Sequence, residues 1–494
     1  MRRFLPPSLS PGHSIFRTRS IADLVEQSKG EHALKKVLGP FELIMLGVGA
    51  IVGTGIFVVT GVAAAYYSGP ALLVSFAIAG TACVFAALCY AEFATIVPIA
   101  GSAYTYGYAS LGEIWAWIIG WDLILEYSVS IAAVAIGWSG YMVNLLAGAG
   151  ISFPAAFANP PGVPGGIVNL PAILIIGIIT GLLILGVRES ATVNIAIVLV
   201  KLLVIALFIY LGVSHVNPVN WTPFLPYGWG GVVTGAAIVF FAYIGFDAVS
   251  TAAEEVRDPQ RSLPIGIIGS LIICTALYIV VSAILTGMVP YLEFKETSAP
   301  VAYALTRIGI TWGSALVSVG AICGITSVIL VLLYGQTRIF FAMARDGLLP
   351  CSFGTVHPVL RTPVRVTLLV GGATAAIASL LPLTSVAELV NIGTLAAFII
   401  VSAGVLVLRR TRPDLERPFR TPLVPWVPAL CILTCLGLIV ALPTITHLRF
   451  VIWLALGLCI YFLYGVKNAR ASGSALETCD GGGGARSGGS GPGE

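Results

Sequence analysis

The sequence predicts an all-α integral membrane protein with twelve transmembrane helices. Three observations predict it: the composition, the spacing of the apolar runs and the distribution of cations. Of 494 residues, 57% are hydrophobic and only 10% charged, and the mean hydropathy is +0.98. Soluble globular chains carry about 25% charged residues, and a chain this long with so little charge could not keep its surface wetted. Ordinary soluble domains, a disordered chain and a nucleic-acid binder are thereby excluded. An outer-membrane barrel is disfavoured, because its alternating ~10-residue strands would dilute the apolar runs. At about 20 residues per span, the length accommodates about twelve helices.

Taken in order, residues 1–40 are polar and basic and form a cytoplasmic N-terminal segment, without the short apolar core of a cleavable signal. Apolar runs bounded by Gly, Pro and charge clusters then place spans near 41–66, 70–97, 113–145, 169–187, 191–213, 231–253, 264–288, 313–342, 365–383, 385–408, 426–445 and 450–466. The third and eighth are long enough to tilt or to project into water. Between the seventh and eighth, residues 289–312 are expected to carry a short amphipathic helix on the outside. The membrane domain is thus 41–466, divided into 41–213, 231–408 and a peripheral pair at 426–466. The Gly/Ser-rich cytoplasmic tail, 467–494, is expected to be disordered.

Cations set the orientation. With the N-terminus inside, 22 of the 26 Lys and Arg residues fall on the cytoplasmic side, three fall outside (Lys295, Arg307, Arg449) and Lys201 lies within a span. The positive-inside rule therefore puts both termini in the cytoplasm, as an even number of spans requires. Nine cysteines, most of them inside apolar runs and none in a CxxC pair, read as packing residues. The five histidines all lie in connecting segments. No metal, no cofactor and no enzyme activity are expected, nor a nucleic-acid or obligate protein partner.

Chemistry concentrates at a few positions. The first span holds Gly47, Gly49, Gly53 and Gly55 within nine residues, with Thr54 between the last two. Each glycine costs a continuous helix about 1 kcal/mol relative to Ala. Either small residues let neighbouring helices approach, or the helix unwinds and offers its backbone to a solute, which is tolerated at membrane depth only where protein covers it or a cavity is lined. The sixth span offers a matching break at Phe240-Phe241-Ala242-Tyr243-Ile244-Gly245-Phe246-Asp247. There Asp247 either caps a second half-helix or reaches a cytoplasmic water pocket. Breaks in spans 1 and 6 imply two five-helix repeats of inverted topology, with the solute at the midplane.

Lys201 sits about eleven residues from either end of its span, too deep to snorkel easily. It is a candidate proton carrier, since burial disfavours a charged amine, or else a lysine locked to an acid or to backbone carbonyls. Asp122 and Glu126 share a face of the third span, after Trp115, Trp117 and Trp121. Glu126 either faces a cationic substrate or neutralises an internal group. Glu388 reads as interfacial, and Glu92 as a helix-packing or gating acid.

Several longer stretches carry a family resemblance. They are GAIVGTGIF in the first span, Pro98 to Tyr106, FFAYIGFDAVSTAAEEVRDPQRSLP in the sixth span, Gln336 to Pro350, and residues 391–422. Over roughly residues 35–466 the chain resembles the amino acid–polyamine–organocation superfamily, in particular its cationic amino acid transporter branch in the twelve-span bacterial form. The resemblance implies a LeuT-like fold of ten core helices plus two peripheral ones. It further implies that the Thr54 and Gly55 amides bind a substrate carboxylate, and that the carbonyls of Ile51, Phe241, Ala242 and Ile244 hold its ammonium. In the same way Phe241 would be the outer gate, Lys201 the residue in place of a sodium ion, and Glu126 the third-span acid of the branch. The function expected is proton-coupled uptake of cationic or broad-specificity L-amino acids across the plasma membrane. An amino acid/polyamine antiporter or a transporter-like sensor is the alternative.

Overall fold

The computed structural model describes residues 15–18, 36, 38–98, 102–186, 191–357, 359–360 and 362–469. Among these residues the regular elements are helices, and the single extended pairing is an isolated parallel bridge between Leu38 and Val256. The principal helices are α1 (Pro40–Ile51), α2 (Leu72–Ile96), α3 (Glu113–Gly148), α4 (Leu170–Ile184), α5 (Ala191–Val213) and α6 (Gly228–Val239). They continue as α7 (Pro259–Met288), α8 (Thr311–Arg345), α9 (Val364–Leu380), α10 (Leu383–Thr411), α11 (Trp426–Val440) and α12 (Thr444–Ile460). Seven helical runs among the described residues are long and apolar enough to cross a membrane, and five further apolar helices are shorter. The chain is a multi-pass membrane protein. Its lipid-facing surface keeps large exposed apolar side chains such as Leu203, Tyr210 and Leu463, as a bilayer solvent allows.

Helix α3 is the spine. Its 36 residues reach about 54 Å at 1.5 Å per residue, and it packs most extensively against α8 and α10. Helix α7 lies along α1 and α2. The expected outer helix in 289–312 is two short pieces, a 3₁₀ turn at Tyr291–Glu296 and an α-helix at Pro300–Arg307. Pro300 opens the second piece, where its missing N–H costs nothing. The glycine-rich tail beyond Ala469 lies outside the described residues.

Two helices do not run through. After α1 the chain turns extended at Val52 (φ −75°, ψ 99°), then resumes with π-helical turns at Gly55–Val59 and Ala64–Ser68 around Thr60–Ala63. After α6 a 3₁₀ turn, Phe240–Tyr243, leads to an extended Ile244 (ψ 135°) and to Gly245 at φ 113°, before the short helix Ala248–Thr251. Only glycine adopts that φ readily. The two breaks pack directly on each other: a Cβ on Gly55 would stand 2.4 Å from Ala242 Cα, and one on Gly245 would stand 2.9 Å from the Ala50 carbonyl oxygen. Glycine is therefore present at both breaks for close backbone approach as well as for unwinding.

Candidate functional site

The break in the first helix leaves backbone groups facing inward. A helix leaves its first four N–H groups without intrahelical partners, so the amides from Gly53 onward stand at the N-terminal end of the resumed segment. This end carries the positive pole of the helix dipole. Thr54 is buried between that end and α3, and its hydroxyl donates at 3.4 Å to the Val134 carbonyl. A small cavity of about 20 Å³ lies at the junction of the two breaks. Its backbone rim is Ala50, Ile51, Gly53, Thr54 and Gly55, with Phe241 and Ile244 opposite, and α3 and α8 close it with Ser130, Val134, Val328 and Leu332. It has room for about one water, so an amino acid enters only when its walls move. A larger crevice of about 650 Å³, between Pro264, Ile268 and Phe419, lies on the outer surface away from both breaks.

The structure brings Ile51, Thr54, Gly55, Phe241 and Ile244 together around this cavity and places Gly53 on its rim. Ala242 lies behind it, against Gly55. The carbonyls of Ile51 and Ala242 already have a partner, because the Tyr278 hydroxyl of α7 lies 2.9 Å from the first and 2.7 Å from the second. A hydroxyl carries one proton, so Tyr278 serves one carbonyl at a time and lone pairs remain on both. The last carbonyls of α6, at Ala237 and Ile238, accept from the Asn391 side chain at 2.8 and 3.1 Å. The backbone freed by the sixth-helix break is thus satisfied by side chains from α7 and α10.

Lys201 is fully buried, and its ammonium donates to the Gly49 carbonyl at 2.7 Å. Its stem crosses Gly324 of α8, where a Cβ would stand 2.8 Å from Lys201 Cε. One amine therefore ties α5 to the last turn of α1 with α8 packed against it. It lies behind the cavity wall rather than on it.

Glu126 is also buried and also does not line the cavity; Ser130 and Val134, one and two turns further along α3, do. Glu126 instead has Thr394 of α10 beside it, with Asp247 and Asp122 as the acids acting on it. Asp247 immediately precedes the short helix Ala248–Thr251, at its capping position, yet its side chain makes no capping hydrogen bond. This corrects the capping expectation. The residue's contribution to that turn is its backbone carbonyl, which accepts from Ser250 N at 2.8 Å and Ser250 Oγ at 2.6 Å.

The remaining acids are anchored. Glu92 accepts hydrogen bonds from Nε and Nη2 of Arg409 at 2.8 Å and from the Thr421 amide at 2.8 Å, and pairs with the Arg417 guanidinium at 3.4 Å, joining α2 to the end of α10 and the segment after it. Glu388, near the start of α10, is buried and accepts from Thr446 of α12 at 2.7 Å. Outside the spans, Arg307 beside Glu293 holds that carboxyl below the usual glutamate range. Among the described residues no three or more His, Cys, Asp or Glu side chains group as metal ligands.

Sequence reasoning missed Tyr278, Ser130 and Asn391. Each is a polar side chain embedded in an apolar run, which is the available signal, because such groups must find partners inside the bundle. Ser130 is the sharpest of them: it lines the cavity and its hydroxyl has no hydrogen-bond partner.

Comparison with known proteins agrees with this architecture. Residues 38–464 match the family model described as amino acid permease. The branched-chain amino acid permease BcaP of Bacillus subtilis (strain 168) is 52% identical over 92% of this chain and 99% of its own length. The methylthioribose transporter of the same organism is 50% identical over 92% of this chain and 99% of its own. The human cationic amino acid transporter 4 is 40% identical over 78% of this chain and 61% of its own length. A multi-pass helical bundle, two interlocked helix breaks and a family match along nearly the whole membrane domain converge: the chain belongs to the amino acid permease family of the amino acid–polyamine–organocation superfamily, and is a transport protein rather than an enzyme.

Proposed function

We propose that the chain is a secondary active carrier that takes up neutral, chiefly aliphatic L-amino acids with protons, by alternating access across the cell membrane. The observation that carries this reading is the wall of the cavity. Next to the free backbone groups of the first break it presents Val134, Ile244, Val328 and Leu332, with Ser130 and Thr54 the polar side chains, and no acid. A cationic side chain placed there would be stripped of water without a counter-charge, which is costly. A branched aliphatic side chain would gain about 25 cal/mol per Å² of apolar surface buried. The similarity to a branched-chain permease favours the same choice over the cationic one.

In this reading Thr54 and Gly55 amides receive the carboxylate, the lone pairs of the Ile51, Phe241, Ala242 and Ile244 carbonyls receive the ammonium, and Phe241 is the outer gate. Gly49, Gly53, Gly245 and Asp247 form the flexible parts of the two breaks. Lys201 couples a proton: protonated, it binds Gly49 and holds α1 to α5; deprotonated, it releases them. The helices are twelve spans, ten in a LeuT-like inverted pair of five and two peripheral, with both termini cytoplasmic.

A second reading is favoured by the relative that is a methylthioribose transporter: a neutral thioether sugar suits the same apolar wall but has no carboxylate for the first break. The test is uptake into proteoliposomes of labelled leucine, alanine, arginine and methylthioribose, with and without an inward proton gradient. Leucine should accumulate, the gradient should raise it about tenfold or more, and Lys201→Ala should abolish the gradient effect. Arginine accumulation exceeding leucine would sink the neutral-substrate reading. Methylthioribose uptake without leucine uptake would establish the second.

A further inference from the structure

Among the described acids within the bundle, Asp122 is the one with both carboxylate oxygens buried and unpartnered. It lies in α3 one helical turn before Glu126, and about 14 Å from the Glu113 end at 1.5 Å per residue. It is 1% exposed, and neither of its carboxylate oxygens has a hydrogen-bond partner. Other buried acids do: Glu92 accepts from Arg409 and Thr421, Glu113 from Tyr461 at 3.0 Å, Asp346 from Tyr104 at 2.6 Å and Glu388 from Thr446.

The surroundings of Asp122 offer it no charge to pair with. On the α10 side it meets bare backbone at Gly393, where a Cβ would stand 2.7 Å from Oδ1. Its indole neighbour Trp121 is committed to α12, donating to the Trp453 carbonyl at 2.9 Å. Its acidic neighbour is Glu126, one turn on along its own helix, and Glu126 in turn lies near Asp247. The α10 acid Glu388 is bonded to Thr446. Among the described residues no Lys, Arg or His pairs with it. A charged carboxylate in such a place has neither counter-ion nor donor, whereas a bound proton removes the charge altogether.

We propose that Asp122 is a proton-binding site of the carrier, separate from Lys201: it holds a proton in this closed conformation and releases it when α10 moves away at Gly393. The proton comes from water on one side, forms an O–H bond on the carboxyl, and returns to water on the other; no other bond changes. The inference rests on the proton-coupled reading above, and the experiment separates the two.

Infrared difference spectra of the purified full chain in D₂O, wild type minus Asp122→Asn, should show the carbonyl-stretch band of a protonated carboxylic acid at neutral pH. In proteoliposomes Asp122→Asn, an uncharged isostere, should lower proton-driven leucine accumulation about tenfold while retaining leucine counterflow, which needs no net proton movement. Asp122→Ser, smaller and also uncharged, is measured beside it and should give the same split. Absence of the acid band, or accumulation by both variants equal to wild type, would overturn the proposal. Wild-type accumulation indifferent to the gradient would instead sink proton coupling, and the infrared band would still decide whether Asp122 holds a proton.

Discussion

The C-terminal end of α2 and the first third of α3 each bury an acid, Glu92 and Asp122, and they treat it oppositely. Glu92 is enclosed by Arg409, Arg417 and the Thr421 amide, and hydrogen bonds from Arg409 and that amide satisfy both its oxygens. Asp122 is buried as deeply with no donor at all. A charge that only holds structure together repays its desolvation with hydrogen bonds. A carboxyl left without them is stable in this conformation only while uncharged, and it is thereby free to change state when the surroundings change. The lesson extends to the helix breaks, where Tyr278, Asn391 and Lys201 satisfy some freed carbonyls, while the cavity keeps the unpartnered Ser130 hydroxyl.

The contrast can be broken most directly by making the same chemical change at both acids. Glu92→Gln should cost about 3 kcal/mol, because it leaves two arginines facing a neutral amide in a site that is largely closed to water. Asp122→Asn should cost less than about 1 kcal/mol, since it breaks no bond. Thermal unfolding of the two purified variants measures this, and equal losses would mean that Asp122 is held by a charge interaction after all.

A smaller effect is expected where a hydroxyl serves two carbonyls. Tyr278→Phe leaves Ile51 and Ala242 carbonyls without that donor, a loss of about 1–2 kcal/mol, and leucine uptake should fall several-fold with the substrate KM moved more than the maximal rate. Unchanged uptake kinetics would place Tyr278 outside the site.

The smallest effect is expected at an exposed ion pair outside the spans. Glu293 accepts from Arg307 at 2.9 Å and Tyr303 at 3.0 Å in an exposed position, where screening leaves little net gain. The ion pair holds Glu293 below the usual glutamate range. Its contribution is therefore present at neutral pH and lost as pH falls through that lowered value. Arg307→Ala should leave neutral-pH unfolding within error and shift only the acid limb. A clear loss at neutral pH would show that exposed pairs matter here as buried ones do.

Much of this was legible before any coordinates. The low charge content, the apolar runs and the one-sided cations are one-dimensional signals, and the observed helix ends lie within a few residues of those expected for most helices. The cluster Gly47 to Gly55 and the Phe240 to Asp247 stretch announced both breaks, because glycine inside an apolar run is a local cost that needs a local reason. The site beyond the backbone was less legible. The sequence pattern leaves Glu126 either facing a cationic substrate or neutralising an internal group, because its position on α3 relative to the cavity depends on how that helix is rotated against α8 and α10.

The sequence by itself determined that the chain spans a membrane, where its helices break and which few ionisable groups remain inside, because each of these follows from the energy of placing residue types in lipid. Only the tertiary structure decided which of those groups are partnered. Tyr278 comes from a helix 36 residues past Ala242 to reach its carbonyl, Asn391 comes from 154 residues past Ala237, and nothing comes to Asp122. Pairing is a property of distances between helices, and no local pattern along one helix encodes it.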